Sequence, residues 1–154
     1  MFLVVAPGVV AVLVPWLLTG WEVQHSVRWL QIAGVLLIAA GGAVLLEAFA
    51  RFVWEGVGTP APVAPTEHLV VGGLYRYVRN PMYLAVGSTI LGQALLFGSV
   101  AVLVELVLFA VAVGAFVHGY EEPKLRRTYG AAYDDYCRSV PAWLPRAPRP
   151  GRRA

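Results

Sequence analysis

Long apolar runs constrain this chain more than any other feature. Crossing about 30 Å of hydrocarbon takes about 20 residues of helix. Four runs approach that length: residues 2–18, 29–53, 81–97 and 100–118. The first is uncharged, and Pro7 and Pro15 would kink it, which a membrane helix tolerates when neighbours satisfy the freed carbonyls. It lacks the basic start of a secretory signal, and Pro15-Trp16 is a poor approach to a cleavage site, so a retained helix is expected. The second run carries Glu47 and Arg51 near its end, and the fourth holds Glu105. Composition agrees: 58% of the 154 residues are hydrophobic and 14% charged, against about 25% charged in an ordinary soluble domain. That excludes disorder and argues against a water-soluble globule. Cys137 is the single cysteine, which excludes an intrachain disulfide and a cysteine-rich metal site; no metal is expected.

The basic residues give an orientation. Arg51, Arg76 and Arg79 flank the loop between the second and third runs. Lys124, Arg126, Arg127, Arg138, Arg146, Arg149, Arg152 and Arg153 follow the fourth, whereas the other two connections hold only Arg28. The positive-inside rule puts the long loop, the tail and both termini in the cytoplasm, a parity that four crossings satisfy. Because the bases sit at membrane flanks, the net charge of +3 points to lipid surfaces and not to nucleic acid. The expected architecture is all-α: an integral membrane bundle of four transmembrane helices with a C-terminal amphipathic cytoplasmic helix. A single domain over residues 1–145 precedes a flexible basic tail, 146–154, on anionic lipid. Gly41-Gly42, Gly87, Gly92 and the Ala110/Gly114 pair read as close-packing positions.

A plain helical bundle needs only short turns, yet residues 53–80 form a loop of about 28 residues, and loops of this length are usually functional or disordered. Its first half, Gly58-Thr59-Pro60-Ala61-Pro62-Val63-Ala64-Pro65, is Pro-rich. Its second half, from Gly72 to Tyr83, is dense in arginine and tyrosine. Asn80 reads as an N-cap and Pro81 as a first helical residue. The N–H groups of that helix start, beside Arg79, favour an anion such as a carboxylate, and Tyr83 can reach the same mouth.

After the fourth run comes His118-Gly119-Tyr120-Glu121-Glu122-Pro123, with Gly119 and Pro123 expected to punctuate the helix. Beyond it, Leu125, Tyr129, Tyr133, Tyr136 and Val140 share one stripe at helical spacing, the mark of an amphipathic helix lying on the membrane or capping the bundle. One cytoplasmic mouth then offers Arg79, an acidic pair, several tyrosines and an apolar interior. This suits a ligand carrying both a carboxylate and a cation, together with a lipophilic second substrate. Glu105 reads as a helix–helix hydrogen-bonding residue, and Glu47 with Arg51 as a plain i,i+4 ion pair at the inner interface.

Gly73-x-Tyr75-x-x-x-Arg79-Asn80-Pro81-x-Tyr83 resembles the Arg-His-Pro-x-Tyr signature of the isoprenylcysteine carboxyl methyltransferase family, shared with related membrane phospholipid methyltransferases. The stretch Glu121-Glu122-x-x-Leu125-x-x-x-Tyr129-Gly130-x-x-Tyr133-x-x-Tyr136, running on to Val140-Pro141-x-x-Leu144-Pro145, resembles that family's Glu-Glu block and C-terminal helix. The resemblance covers about residues 58–145. It implies methyl transfer from S-adenosyl-L-methionine to a lipophilic small-molecule or lipid-linked acceptor, within membrane lipids. It further implies that Gly73, Tyr75, Arg79, Asn80, Pro81 and Tyr83 form one wall of the cofactor pocket and Glu121 and Glu122 another. Arg79 would pair with the methionine carboxylate. A carboxylate acceptor is already ionised and needs no base, whereas an amine or phenol would need one, for which His118 is the candidate. Two positions depart from the pattern. Asn80 stands where those enzymes have His, and Phe116-Val117-His118-Gly119 lacks their acceptor-binding Arg.

Overall fold

The computed structural model describes residues 7–23, 26–55 (without the side chains of 52–55) and 69–147. The start of the first apolar run, the Pro-rich half of the long loop and the tail with Arg149, Arg152 and Arg153 lie outside them. Helices α1 (Val14–Thr19), α2 (Arg28–Glu55), α3 (Pro81–Phe97), α4 (Val100–Phe116), α5 (Glu122–Tyr129) and α6 (Ala131–Ser139) follow in order. π-helical turns Val9–Leu13 and Val117–Glu121 precede α1 and α5, and a 3₁₀ turn, Gly73–Arg76, lies ahead of α3. No strand occurs among the described residues, as an all-α chain requires. Two segments, Arg28–Arg51 and Val100–Tyr129, are long and apolar enough to cross a bilayer; Val9–Thr19 and Pro81–Phe97 are shorter apolar helices.

The centre of the bundle is α3, which buries Ala85, Val86, Ile90, Gly92, Gln93, Ala94 and Phe97. It runs antiparallel to α2 along a seam of small residues. A Cβ on Gly34 would stand 2.5 Å from the Gly92 carbonyl oxygen, and one on Gly92 would stand 2.6 Å from that of Gly34. One heptad along, a Cβ on Gly41 would be 2.7 Å from the Ala85 carbonyl oxygen. Backbones therefore touch, and packing and backbone contact replace the hydrophobic drive that lipid does not supply. Gly34 was not among the expected packing glycines. Of those that were, Gly41 and Gly92 carry the seam, Gly87 makes only ordinary contacts, and Gly42 and Gly114 face open space. On the opposite side Val100, Val104, Val107, Leu108 and Val111 of α4 are exposed, an apolar face suited to lipid.

Prolines explain both π turns. Pro15 has no N–H for the carbonyl of Ala11, four residues back, and its ring crowds that carbonyl. The helix widens just upstream, with Val14 N–H donating to the Val9 carbonyl. The Gln93 side chain, buried in α3, donates to the stranded Ala11 carbonyl at 2.7 Å. Pro123 acts alike: Glu122 N–H reaches back to the Val117 carbonyl, and the helix passes Gly119 and Pro123 without ending. This corrects the expected punctuation. The break falls at Gly130, whose φ of +54° favours glycine, and it divides the expected single amphipathic helix into α5 and α6. The stripe survives the break, since Tyr133, Tyr136 and Val140 form a buried cluster with Leu125, Tyr129 and Leu69.

Gly92→Ala should cost about 1–3 kcal/mol through forced separation of α2 and α3. Gly42→Ala, which meets nothing within 4 Å, should leave stability unchanged or raised by up to about 1 kcal/mol. Thermal unfolding in detergent checks this, and equal melting temperatures for the two variants would contradict the seam.

Candidate functional site

The turn before α3 and the exit of α4 meet. The sequence Arg79-Asn80-Pro81 delivers an arginine just outside the helix, because Pro81 starts α3 and is itself fully buried. The π turn carries two successive glutamates past that point. The Arg79 guanidinium lies 3.1 Å from Glu122 Oε1, and the two side chains are only 14% and 11% exposed. Next to this pair, the Tyr83 hydroxyl donates to Glu121 Oε2 at 3.0 Å. Glu122 Oε2 lies 3.4 Å from Nδ1 of His118, one turn earlier and largely exposed. Arg79, Glu122 and His118 thus form one polar group and Tyr83 and Glu121 another, side by side because the two glutamates are successive residues.

The C-terminal segment holds the turn in place through four hydrogen bonds. Tyr136 donates from its hydroxyl to the Tyr75 carbonyl at 2.7 Å. Arg79 N–H donates to the Pro141 carbonyl at 2.9 Å, and Arg146 N–H to the Tyr77 carbonyl at 3.0 Å. Asn80 Nδ2 donates to the Ala142 carbonyl at 3.2 Å. Asn80 therefore occupies the cap position without capping α3, its amide being spent on the Ala142 carbonyl, which corrects the expected cap. Because the phenols of Tyr75, Tyr133 and Tyr136 are buried, their pKa values lie well above the ordinary tyrosine range, and the three are neutral.

The remaining expected site residues fall nearby with different surroundings. Tyr75 is buried against Ala48 and Met82. Gly73, at φ +52°, lies against Glu47 and Arg51 and not against the paired glutamates. Sequence reasoning missed Cys137, whose Sγ accepts from Arg79 Nη1 at 2.6 Å. Tyr133 was expected in the stripe and in the C-terminal block of the resemblance but not as a site residue, and its hydroxyl lies 3.4 Å from the same nitrogen. Their spacing on α6, one turn apart, was the available signal. Glu47 and Arg51 form the expected ion pair at 3.0 Å. Both carboxylate oxygens of Glu105 lack a hydrogen-bond partner among the described residues, so its expected helix–helix bond is not found there.

Two atoms bear on what the site can hold. Arg79 Nε is buried without a hydrogen-bond partner among the described residues. Glu122 Oε1 meets Arg79 as an ion pair but makes no hydrogen bond there. Both groups keep bonding capacity at low dielectric, where an unspent charge-assisted bond is costly. A small zwitterion with a carboxylate and an ammonium fits such a donor–acceptor set. Among the described residues no group of His, Cys, Asp and Glu could hold a metal ion.

The model of the phospholipid methyltransferase family matches residues 29–132, and the chain belongs to that family of membrane methyltransferases. The matched range takes in α2 to α5, with both Arg79 and the glutamate pair. No curated protein and no solved structure matches the chain.

Tyr136→Phe removes the donor from the buried Tyr75 carbonyl at a cost of about 1–3 kcal/mol. Hydrogen exchange should then show lost protection over residues 131–147 with the α2–α3 pair unchanged. Unaltered protection there would contradict a tail pinned by this bond.

Proposed function

We propose that the chain is an S-adenosyl-L-methionine-dependent methyltransferase of the membrane. Its acceptor is a lipophilic molecule methylated on a carboxylate oxygen, in the manner of isoprenylcysteine carboxyl methyltransferases. The observation that carries the reading is the contact of buried Arg79 with Glu122, beside Tyr83 and Glu121. When bound, the cofactor supplies an electrophilic methyl group on a sulfonium. Arg79 holds the amino acid carboxylate through its unspent Nε, and Glu121 and Glu122 receive the ammonium. Tyr83 fixes the Glu121 carboxylate, and Tyr133 and Cys137 fix the guanidinium from α6. The apolar walls of α3 and α4 keep water from the reacting centre, and α6 with residues 140–147 closes the cytoplasmic side. Orientation of this kind can supply about 7–11 kcal/mol. The membrane setting is four crossings with both termini cytoplasmic. Helix α3, at 17 residues, gives about 26 Å of rise, close to the thinner bilayers at about 27 Å.

A second reading, N-methylation of a phospholipid amine, draws on His118. An amine must lose a proton, and the candidate to take it is the His118 imidazole, which lies beside Glu122. A carboxylate acceptor leaves His118 without a chemical task.

Two measurements test these readings. Calorimetry on detergent-purified protein should show S-adenosylhomocysteine binding, which Arg79→Ala and Glu122→Ala each weaken by at least tenfold and Glu105→Gln leaves unchanged. No binding up to millimolar ligand would leave a non-enzymatic membrane module that kept the fold. Washed membranes given methyl-labelled cofactor should place the label in base-labile esters. Base-stable label in lipid amines would replace the carboxylate reading with the second one, and His118→Ala should then abolish it.

A further inference from the structure

Glu47 and Arg51 lie one turn apart near the end of α2. Their ion pair spans 3.0 Å with side chains 38% and 44% exposed. Such a pair contributes at most about 1 kcal/mol by itself. What distinguishes it is the backbone resting on it. A Cβ on Gly73 would overlap Glu47 Oε1 and stand 2.6 Å from Arg51 Nε. The main chain therefore lies flat on the paired carboxylate and guanidinium, closer than any residue with a side chain allows. Gly73 also has a φ of +52°, which a side chain disfavours. Its position is set twice, by backbone twist and by contact.

This placement matters because of what Gly73 begins. It opens the 3₁₀ turn Gly73–Arg76, which carries Tyr75 into a buried cluster on Ala48, the residue directly after Glu47. Three residues beyond the turn comes Arg79. The same short segment is also held by Tyr136 of α6 and by Arg146, through the Tyr75 and Tyr77 carbonyls. The arginine-bearing turn thus has two supports, the C-terminal segment and the Glu47–Arg51 pair. Glu47 and Glu121 both add negative charge around the Tyr75 phenol, which places the pair within electrostatic reach of the polar site. Glu47 Oε2 is buried without a hydrogen-bond partner among the described residues, a costly arrangement for a residue whose only task is to decorate a helix end.

We propose that the Glu47–Arg51 pair is a positioning element of the ligand site, a charged seat on α2 that fixes Gly73 and, through the turn that follows, the placement of the Arg79 guanidinium opposite Glu122. The proposal rests on the reading that Arg79 and Glu122 bind the cofactor. It assigns Glu47 and Arg51 no contact with that ligand.

The test uses the full chain in detergent, with S-adenosylhomocysteine as probe and calorimetry as readout. Glu47→Ala and Arg51→Ala should each weaken binding at least fivefold, with the unliganded melting temperature within about 2 °C of the parent. The exchanged pair, Glu47→Arg with Arg51→Glu, should restore affinity to within twofold. Hydrogen exchange should show protection lost over residues 72–79 in the single variants and regained in the exchange. Parent-like affinity in Glu47→Ala overturns the proposal, as does an exchanged pair that folds but binds no better than the single variants. If the exchanged pair does not fold, Glu47→Gln replaces it. That substitution keeps the shape and loses the charge, so binding as weak as in Glu47→Ala supports the ionic seat and parent-like binding removes it. A parent protein that binds no probe overturns the cofactor reading itself and this proposal with it, an outcome distinct from a parent that binds while the variants bind equally well.

Discussion

Two opposite charges buried at one end of an apolar bundle organise this molecule. Taking an arginine and a glutamate out of water costs several kcal/mol per ion unless each finds a good partner. Arg79 and Glu122 are 3.1 Å apart, and each is approached from several elements. Arg79 comes from the turn before α3 and is met by α6 through Cys137 and Tyr133. Glu122 comes from the end of a widened turn and is met by His118. The pair therefore joins the loop, the exit of α4 and the C-terminal helix at one place.

The supporting structure follows from local chemistry. Pro123 forces the widened turn that brings successive glutamates toward the α3 side, and π turns of this kind recur at functional sites. The α2–α3 seam brings backbones into contact at Gly34, Gly41 and Gly92. This fixes α3, and with it the Arg79–Asn80–Pro81 start, against α2. Tyr136, Pro141, Ala142 and Arg146 supply hydrogen-bond partners to the stretch from Tyr75 to Asn80. Each device works within a few residues, and together they hold polar groups where lipid favours none.

Much of this was legible in the residues. The second apolar run matches α2 to within two positions, and the third coincides with α3 because Pro81 and Gly98 mark its ends, whereas the helix of the fourth runs on to Tyr129. The two motifs contain Arg79, Tyr83, Glu121 and Glu122, which lie together, but also Gly73, which lies against Glu47 and Arg51 instead. Long-range partners were not legible. Nothing local says that Asn80 bonds to Ala142 and not to its own helix, since the same amide serves either use. The continuity of the helix through Gly119 and Pro123 was hidden because proline signals a break in water, whereas inside a bundle a π turn absorbs it. Gly34 was overlooked because a lone glycine in a long apolar helix shows its purpose only against its partner, Gly92. The ion pair of Glu47 and Arg51 was plain at four-residue spacing, but Gly73 resting on it was not, because the contact crosses the loop.

The central claim is that the arginine-bearing turn and the twin glutamates grip the amino acid end of one adenosyl nucleotide. An experimental structure of the protein with S-adenosylhomocysteine, at a resolution that defines the ligand's carboxylate and ammonium, tests it most directly. The ligand's carboxylate should lie within hydrogen-bonding distance of Arg79 and its ammonium within that of Glu121 or Glu122. Density for the nucleotide elsewhere on the bundle, with the Arg79–Glu122 contact unaltered and unattended, would contradict it.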